Sequence, residues 1–335
     1  MLQIDNQTPF YAVMSVLPDG DGIDTLYVIM KATLLLRPKL TLAPVQLPVT
    51  LADEYHGDPT DSSLKQVSEL HIGKLGTDVL LAGRAWAPAG QLVAESWVRV
   101  AVAERQKTLR VLGDRSWRED GTPTAPEPFE AMPLVWERAF GGTHVLPEHI
   151  LAEERNPVGV GFAGKRGTDE LVGHPVPNLE DPATPLEQLG QVSTPACLAP
   201  CAPHWLPRRA FAGTYDERWQ RTRAPFLPVD FDPRFLSCAA PELAFDRYLQ
   251  GGEPVEVRGV TPDGPLSFTL PPAHLEVEVK IGGAVERPVA NLETVFLEPD
   301  ENRLCLTWRA RLPCDRKVLK VERVTVTRRR AGASD

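Results

Sequence analysis

Leu275-Glu276-Val277-Glu278-Val279-Lys280-Ile281 alternates apolar and charged residues without a break, and Gly282-Gly283 follows. A period of two puts the leucine, valines and isoleucine on one face of a strand and the charges on the other. Paired glycines after such a run are what a tight hairpin turn needs. The same style continues outward. Leu304, Leu306 and Trp308 alternate with Cys305, Thr307 and Arg309, and Val324 and Val326 end the last strand. Toward the N-terminus, Val98, Val100 and Val102 alternate with Trp97, Arg99 and Ala101, and Leu109 and Val111 flank Arg110. Val28-Ile29-Met30 and Val79-Leu80-Leu81 are continuous apolar runs, as expected of strands buried on both faces. Pro18-Asp19-Gly20, Asp21-Gly22 and Pro88-Ala89-Gly90 are turn signals between them.

The middle of the chain, 119–250, reads differently. Eleven prolines fall between His174 and Ser237, out of 33 in 335 residues, and periodic apolar patterns are scarce. Proline at about twice its ordinary ~5% share nearly excludes a mainly helical protein. Trp136, Phe140, Phe162, Trp205, Phe211, Tyr215, Trp219, Phe226, Phe231 and Phe235 lie in this middle. Aromatics at that density offset the entropy of ordering loops, so the expectation is irregular but ordered structure packed over the sheets. Helix is expected only in short pieces, at 150–155 and at 243–249, the latter closed by Gly251-Gly252. The fold class expected is all-β, mainly antiparallel, with two sandwich-like sheets, a long irregular proline-rich middle and few short helices. We read 1–335 as a single extended unit with N-terminal strands at 1–118, the loop-rich middle at 119–250, C-terminal strands at 251–327 and a tail at 328–335.

The 36 basic and 45 acidic residues give a net charge of −9, a poor balance for binding nucleic acid. The basic run Arg328-Arg329-Arg330 reads as a solvated strand end. Cys197, Cys201, Cys238, Cys305 and Cys314 are odd in number and suggest no disulfide framework, which fits reduced thiols in a cytoplasm. The N-terminal segment has no signal-peptide pattern, and the apolar stretch 26–36 is broken by Lys31 and too short to span a bilayer, so no membrane association is expected.

Motifs that suggest chemistry lack their contexts. Gly159-Val160-Gly161-Phe162-Ala163-Gly164-Lys165 matches a dinucleotide fingerprint and nearly a P-loop. The flanking sequences, Glu153 to Pro157 before it and Lys165 to Asp169 after it, do not read as the strand and helix such a loop needs, and Arg166 stands where a magnesium-binding hydroxyl belongs. Cys197, Cys201 and His204 have metal-like spacing but no second pair, so no metal or other cofactor is expected. Paired carboxylates in an aromatic-rich middle would suit a carbohydrate-active hydrolase, with the acids flanking a sugar ring. Arginines sit beside nearly every such acid, however, and arginine forks latch carboxylates in loops that lack ladder bonds. Glu137, Arg138, Arg155, Asp181, Asp216, Arg218, Asp230 and Asp232 are therefore read as structural latches.

Longer words carry a resemblance. They are Asp61-Ser62-Ser63-Leu64, Gly76-Thr77-Asp78-Val79-Leu80, Gly113-Asp114-Arg115-Ser116-Trp117, and the run from Met132-Pro133-Leu134-Val135-Trp136-Glu137-Arg138 to Ala139-Phe140-Gly141-Gly142. They continue with Glu154-Arg155-Asn156-Pro157-Val158-Gly159, Pro177-Asn178-Leu179-Glu180-Asp181-Pro182, Ala212-Gly213-Thr214-Tyr215-Asp216-Glu217-Arg218-Trp219, Leu227-Pro228-Val229-Asp230-Phe231-Asp232 and Thr307-Trp308-Arg309-Ala310. Together they resemble a bacterial domain-of-unknown-function family, number 2169, whose genes lie beside type VI secretion spike genes; 197–204 is richer in proline and cysteine than that family suggests. The resemblance implies a non-enzymatic adaptor or chaperone that holds an effector with a PAAR-type tip domain in the cytoplasm and helps load it onto the VgrG spike. It carries over no catalytic residue. Trp205, Tyr215, Trp219 and Phe226 are the candidate partner-binding residues. A sugar hydrolase and a structural component of the secreted particle are the alternatives.

Overall fold

Residues 275–281 form the strand Leu275–Ile281 in a computed structural model, which describes residues 4–328. Gly282 and Gly283 have φ of 57° and 82°, the left-handed pair that a tight hairpin requires, and the chain returns as Ala284–Glu286. The other edge of Leu275–Ile281 pairs antiparallel with Val321–Arg328, to which Ile4–Asn6 adds in parallel, giving a four-stranded sheet. Arg329 and Arg330 of the basic run lie outside the described residues; Arg328 sits over the Phe10 ring.

The ends of the chain do not build separate sandwiches. Asp24–Leu35 lies between Tyr11–Pro18 and Arg303–Pro313, followed by Ala290–Glu298 and, in parallel, Asp78–Leu81; Thr41–Leu42 adds to make six strands. A five-stranded sheet runs Leu179–Glu180, Arg105–Leu112, Glu95–Val102, Pro254–Arg258 and Leu266–Thr269. The chain is all-β with few short helices, as expected; among the described residues it has three principal sheets rather than two, and each combines strands from both ends of the chain.

The alternation explains the packing. Val28, Met30, Val79, Val98, Val100, Val277, Val279, Leu306 and Trp308 all belong to one continuous apolar core. Full burial of a side chain of this size contributes roughly 1.5–3 kcal/mol. Val28-Ile29-Met30 and Val79-Leu80-Leu81 are buried throughout, as their continuous hydrophobicity requires. The opposite face of the six-stranded sheet is buried too; Leu80, Phe296 and Cys305 form a small apolar cluster there, and much of the rest is polar. Lys31 pairs with Glu69 at 2.8 Å, the Thr307 hydroxyl donates to Glu69 at 2.5 Å, and Arg309 pairs with Glu293 at 2.7 Å. Buried ions persist when they are paired, and these are, although Nη1 of Arg309 is buried without a hydrogen-bond partner.

Both expected helices are absent. Ile150–Ala152 is a strand paired with Thr143–Val145 across a turn in which the Leu146 amide donates to the His149 carbonyl. At 243–249 there is one 3-10 turn, Pro241–Leu243, after which the chain runs extended. There the Phe245 amide donates to the Thr77 carbonyl and the Thr77 amide to the Arg247 carbonyl, so edge pairing takes the groups a helix would use. Gly76 permits that approach, because a Cβ there would lie 2.2 Å from the Phe245 oxygen. The rest of the middle is short bridges and single helical turns, with Trp117, Phe140, Leu171, Val176 and Leu186 forming a second small core. No helix among the described residues is long and apolar enough to cross a membrane.

Candidate functional site

Two segments of the loop-rich middle, 194–211 and 233–246, meet residues 74–78 and Lys107 around a partly open cavity of about 880 Å³. Its walls are mainly apolar, with Pro195, Ala196, Leu206, Phe211, Ala240 and Phe245 among them. The walls hold their shape through single helical turns. Arg208–Phe211 packs against Pro233–Leu236, with the Arg208 guanidinium 5.3 Å above the Phe235 ring and the Arg234 guanidinium 4.2 Å above the Phe211 ring.

The charges around this cavity are almost all matched. Lys74 and Asp78 pair at 2.6 Å, and Asp78 also accepts from the Ser237 hydroxyl and the Cys238 amide. Burial works against the charge on each, yet their mutual attraction keeps Lys74 above and Asp78 below its ordinary range. Lys107 pairs with Asp181 at 2.7 Å and Glu242 at 2.6 Å, Arg155 with Glu153, Arg234 with Asp232, and Asp246 with Arg105. Arg208 is the exception. It is 5% exposed, and it donates from Nε to the Phe235 carbonyl at 2.9 Å and from Nη1 to the Cys201 carbonyl at 2.6 Å. Among the described residues no carboxylate lies within ion-pair distance of it, and its Nη2 has no hydrogen-bond partner. Cys197 and Cys201 also line the cavity; burial pushes both thiols up to about 12, so neither is a ready nucleophile.

Of the residues singled out from sequence, Trp205 is corrected first: it is 1% exposed and meets Trp136 edge-on at 5.9 Å, so it is core and presents no binding surface. Tyr215, Trp219 and Phe226 do come together, away from the cavity wall. Tyr215 is 54% exposed and meets Trp219 edge-on at 4.7 Å, and Trp219 donates from its indole to the Phe226 carbonyl. Arg223 anchors this patch by donating to the Gly20 carbonyl in the turn between Tyr11–Pro18 and Asp24–Leu35.

The expected latches differ in reach. Three are long-range. Glu137 accepts from the amide and hydroxyl of Ser63, Asp181 binds Lys107, and Arg138 reaches Asp114 and Asn178. Asp216, which caps the helix Glu217–Thr222 at the Trp219 amide, and Asp232 with Arg234 are local; Arg155 holds Glu153 and also donates to the Ser193 carbonyl, and Asp230 accepts from Thr214 on the preceding loop. Arg218 is exposed and forms no ion pair among the described residues, which corrects its reading as a latch. Bonds from the Thr214 backbone and hydroxyl hold Asp230 below the ordinary carboxylate range, and the Arg234 side chain does the same for Asp232.

The glycine-rich word is a chain crossing. Val160–Gly161 pairs in parallel with Phe140–Gly141, and buried Asn156 donates to the carbonyls of Trp136 and Phe140. His204 stacks edge-on against Trp205, and among the described residues no three metal-ligating side chains are gathered. The cavity residues Arg208, Phe211, Ala240 and Phe245 were not nominated from sequence. One signal was present: no acidic residue occurs from Gln188 to Tyr215, so Arg208 and Arg209 have no local counter-ion. Arg209 finds Glu154 at 3.1 Å; Arg208 finds none.

No curated protein and no solved structure matches the chain. The interlocked words do have a counterpart: over residues 21–309 the chain matches a family model, and it belongs to the family described as uncharacterized protein conserved in bacteria (DUF2169).

Proposed function

We propose that this protein is a non-enzymatic cytoplasmic adaptor that grips a type VI secretion effector bearing a PAAR-type tip domain and helps load it onto the VgrG spike. The observation that carries this reading is the partly open, apolar cavity of about 880 Å³ walled by the loop-rich middle. A groove of that size and character favours an apolar occupant, and interaction sites place such surfaces within a polar rim. Exposed Tyr215, packed on half-buried Trp219, offers a second contact of the kind enriched in interfaces. The middle's carboxylates support binding over hydrolysis: Asp181, Asp230 and Asp232 are tied to Lys107, Thr214 and Arg234 and held low, whereas a general acid must be held high.

Deleting the gene while keeping the effector and spike genes tests the proposal. Sheath-dependent release of the effector should fall to background and return on complementation. Undiminished release from the deletion strain would overturn it.

A further inference from the structure

We propose that the cavity takes a short apolar peptide segment bearing one carboxylate, and that Arg208 is the group that reads the carboxylate. The inference rests on the adaptor reading only for the peptide's source, a client protein. Its basis is a mismatch of charge. A guanidinium 5% exposed in an apolar wall has lost most of its hydration, and two carbonyl acceptors satisfy its Nε and Nη1 without neutralising it. Nη2 retains an unused donor. The other cations of the wall each have a carboxylate partner, and Lys107 has two, so among the described residues of the wall Arg208 is the one cation with no counter-ion beside it. A carboxylate supplies both the missing charge and the missing acceptor, in the geometry arginine forks prefer.

The walls set the rest of the ligand. Phe211, Leu206 and Phe245 favour apolar groups on either side of the acid. The space, about 880 Å³ and partly open, suits a few residues of chain better than a single acyl tail, which packs best in a closed tunnel. At the rim, Lys107 with Asp181 and Glu242, and Arg234 with Asp232, are ion-paired groups that can face the polar backbone of a peptide.

The test selects a randomised seven-residue phage-displayed library on the full-length protein and measures synthetic copies of the enriched peptides by fluorescence polarisation. Enriched sequences should place Asp, Glu or a free C-terminus among apolar residues. Converting that acid to its amide should weaken binding about ten- to a hundredfold, the range for a hydrogen bond to a charged group. Arg208→Gln should cause the same loss, and the two changes together should not add. Because Arg208→Gln also removes donors to two carbonyls, Ala210→Trp is the second variant; it fills the cavity from an exposed position, keeps Arg208, and should abolish binding at an unchanged melting temperature. Absence of enrichment, or peptides indifferent to the amide swap, would overturn the proposal. So would Arg208-dependent binding of dansyl-undecanoic acid where every peptide fails, which would make the ligand a fatty acid. Effector capture that persists in both variants would reject the cavity assignment while leaving the adaptor reading standing.

Discussion

The Glu137 carboxylate accepts the Ser63 amide at 2.7 Å and the Ser63 hydroxyl at 2.8 Å, across 74 residues of chain. One carboxylate thus ties the loop before Leu64–Gln66 to the single helical turn Trp136–Arg138. Ser63 is fully buried, so its donors depend on this partner. Ser63→Ala and Glu137→Gln should each lower unfolding free energy by about 1–3 kcal/mol. The double variant should lose clearly less than the sum, measured by urea denaturation; strict additivity would show that the bonds contribute nothing as a pair.

Acid should loosen the polar face of the six-stranded sheet. Burial, together with the nearby cations Arg309, Lys74 and Arg208, holds His71 well below the ordinary histidine range. Glu293, 3.9 Å away, is committed to Arg309 and the Lys74 amide. In the unfolded chain His71 takes up its proton near pH 6.5, so the stability present above that pH is lost as pH falls below it. His204, also depressed by burial and by Arg208 and Arg209, adds in the same direction. Between pH 6.5 and 5 the slope should reach roughly 1 kcal/mol per pH unit for one proton. Thermal melts of His71→Gln should show a visibly flatter profile than the wild type, and an identical slope would rule out this origin.

The aromatic patch makes a separate prediction. Trp219 packs on Tyr215 and is held by one indole bond to Phe226, outside the main core. Trp219→Ala should reduce effector recovery in a pull-down several-fold while shifting the melting temperature little. Loss of folding instead would assign Trp219 a purely structural role.

How much of this was legible in the sequence follows from what each pattern encodes. Period-two alternation at Leu275–Ile281 and at Val98, Val100 and Val102 reports which face is buried, and those strands stand where it put them. It is silent on partners, so the pairing of Asp24–Leu35 with Arg303–Pro313 could not be read from either strand alone. The two helices failed because 150–152 and 245–247 satisfy their backbones across a turn and against Thr77, contacts that a local window does not contain. The words around Ser63, Glu137, Asn156 and Asn178 are legible as words, and the structure gives their physical content: they are the sites where distant loops hydrogen-bond one another. The cavity was the least legible, because alanines and prolines that wall a groove look the same as those that merely fill a loop.

The central claim is that this protein works by holding another polypeptide. Co-expression of the full chain with a PAAR-type tip-domain effector and a VgrG spike protein, followed by affinity capture and size exclusion, tests it most directly. The account predicts a stable adaptor–effector complex that recruits the spike. A folded, monodisperse protein that elutes alone in the presence of soluble effector would contradict it.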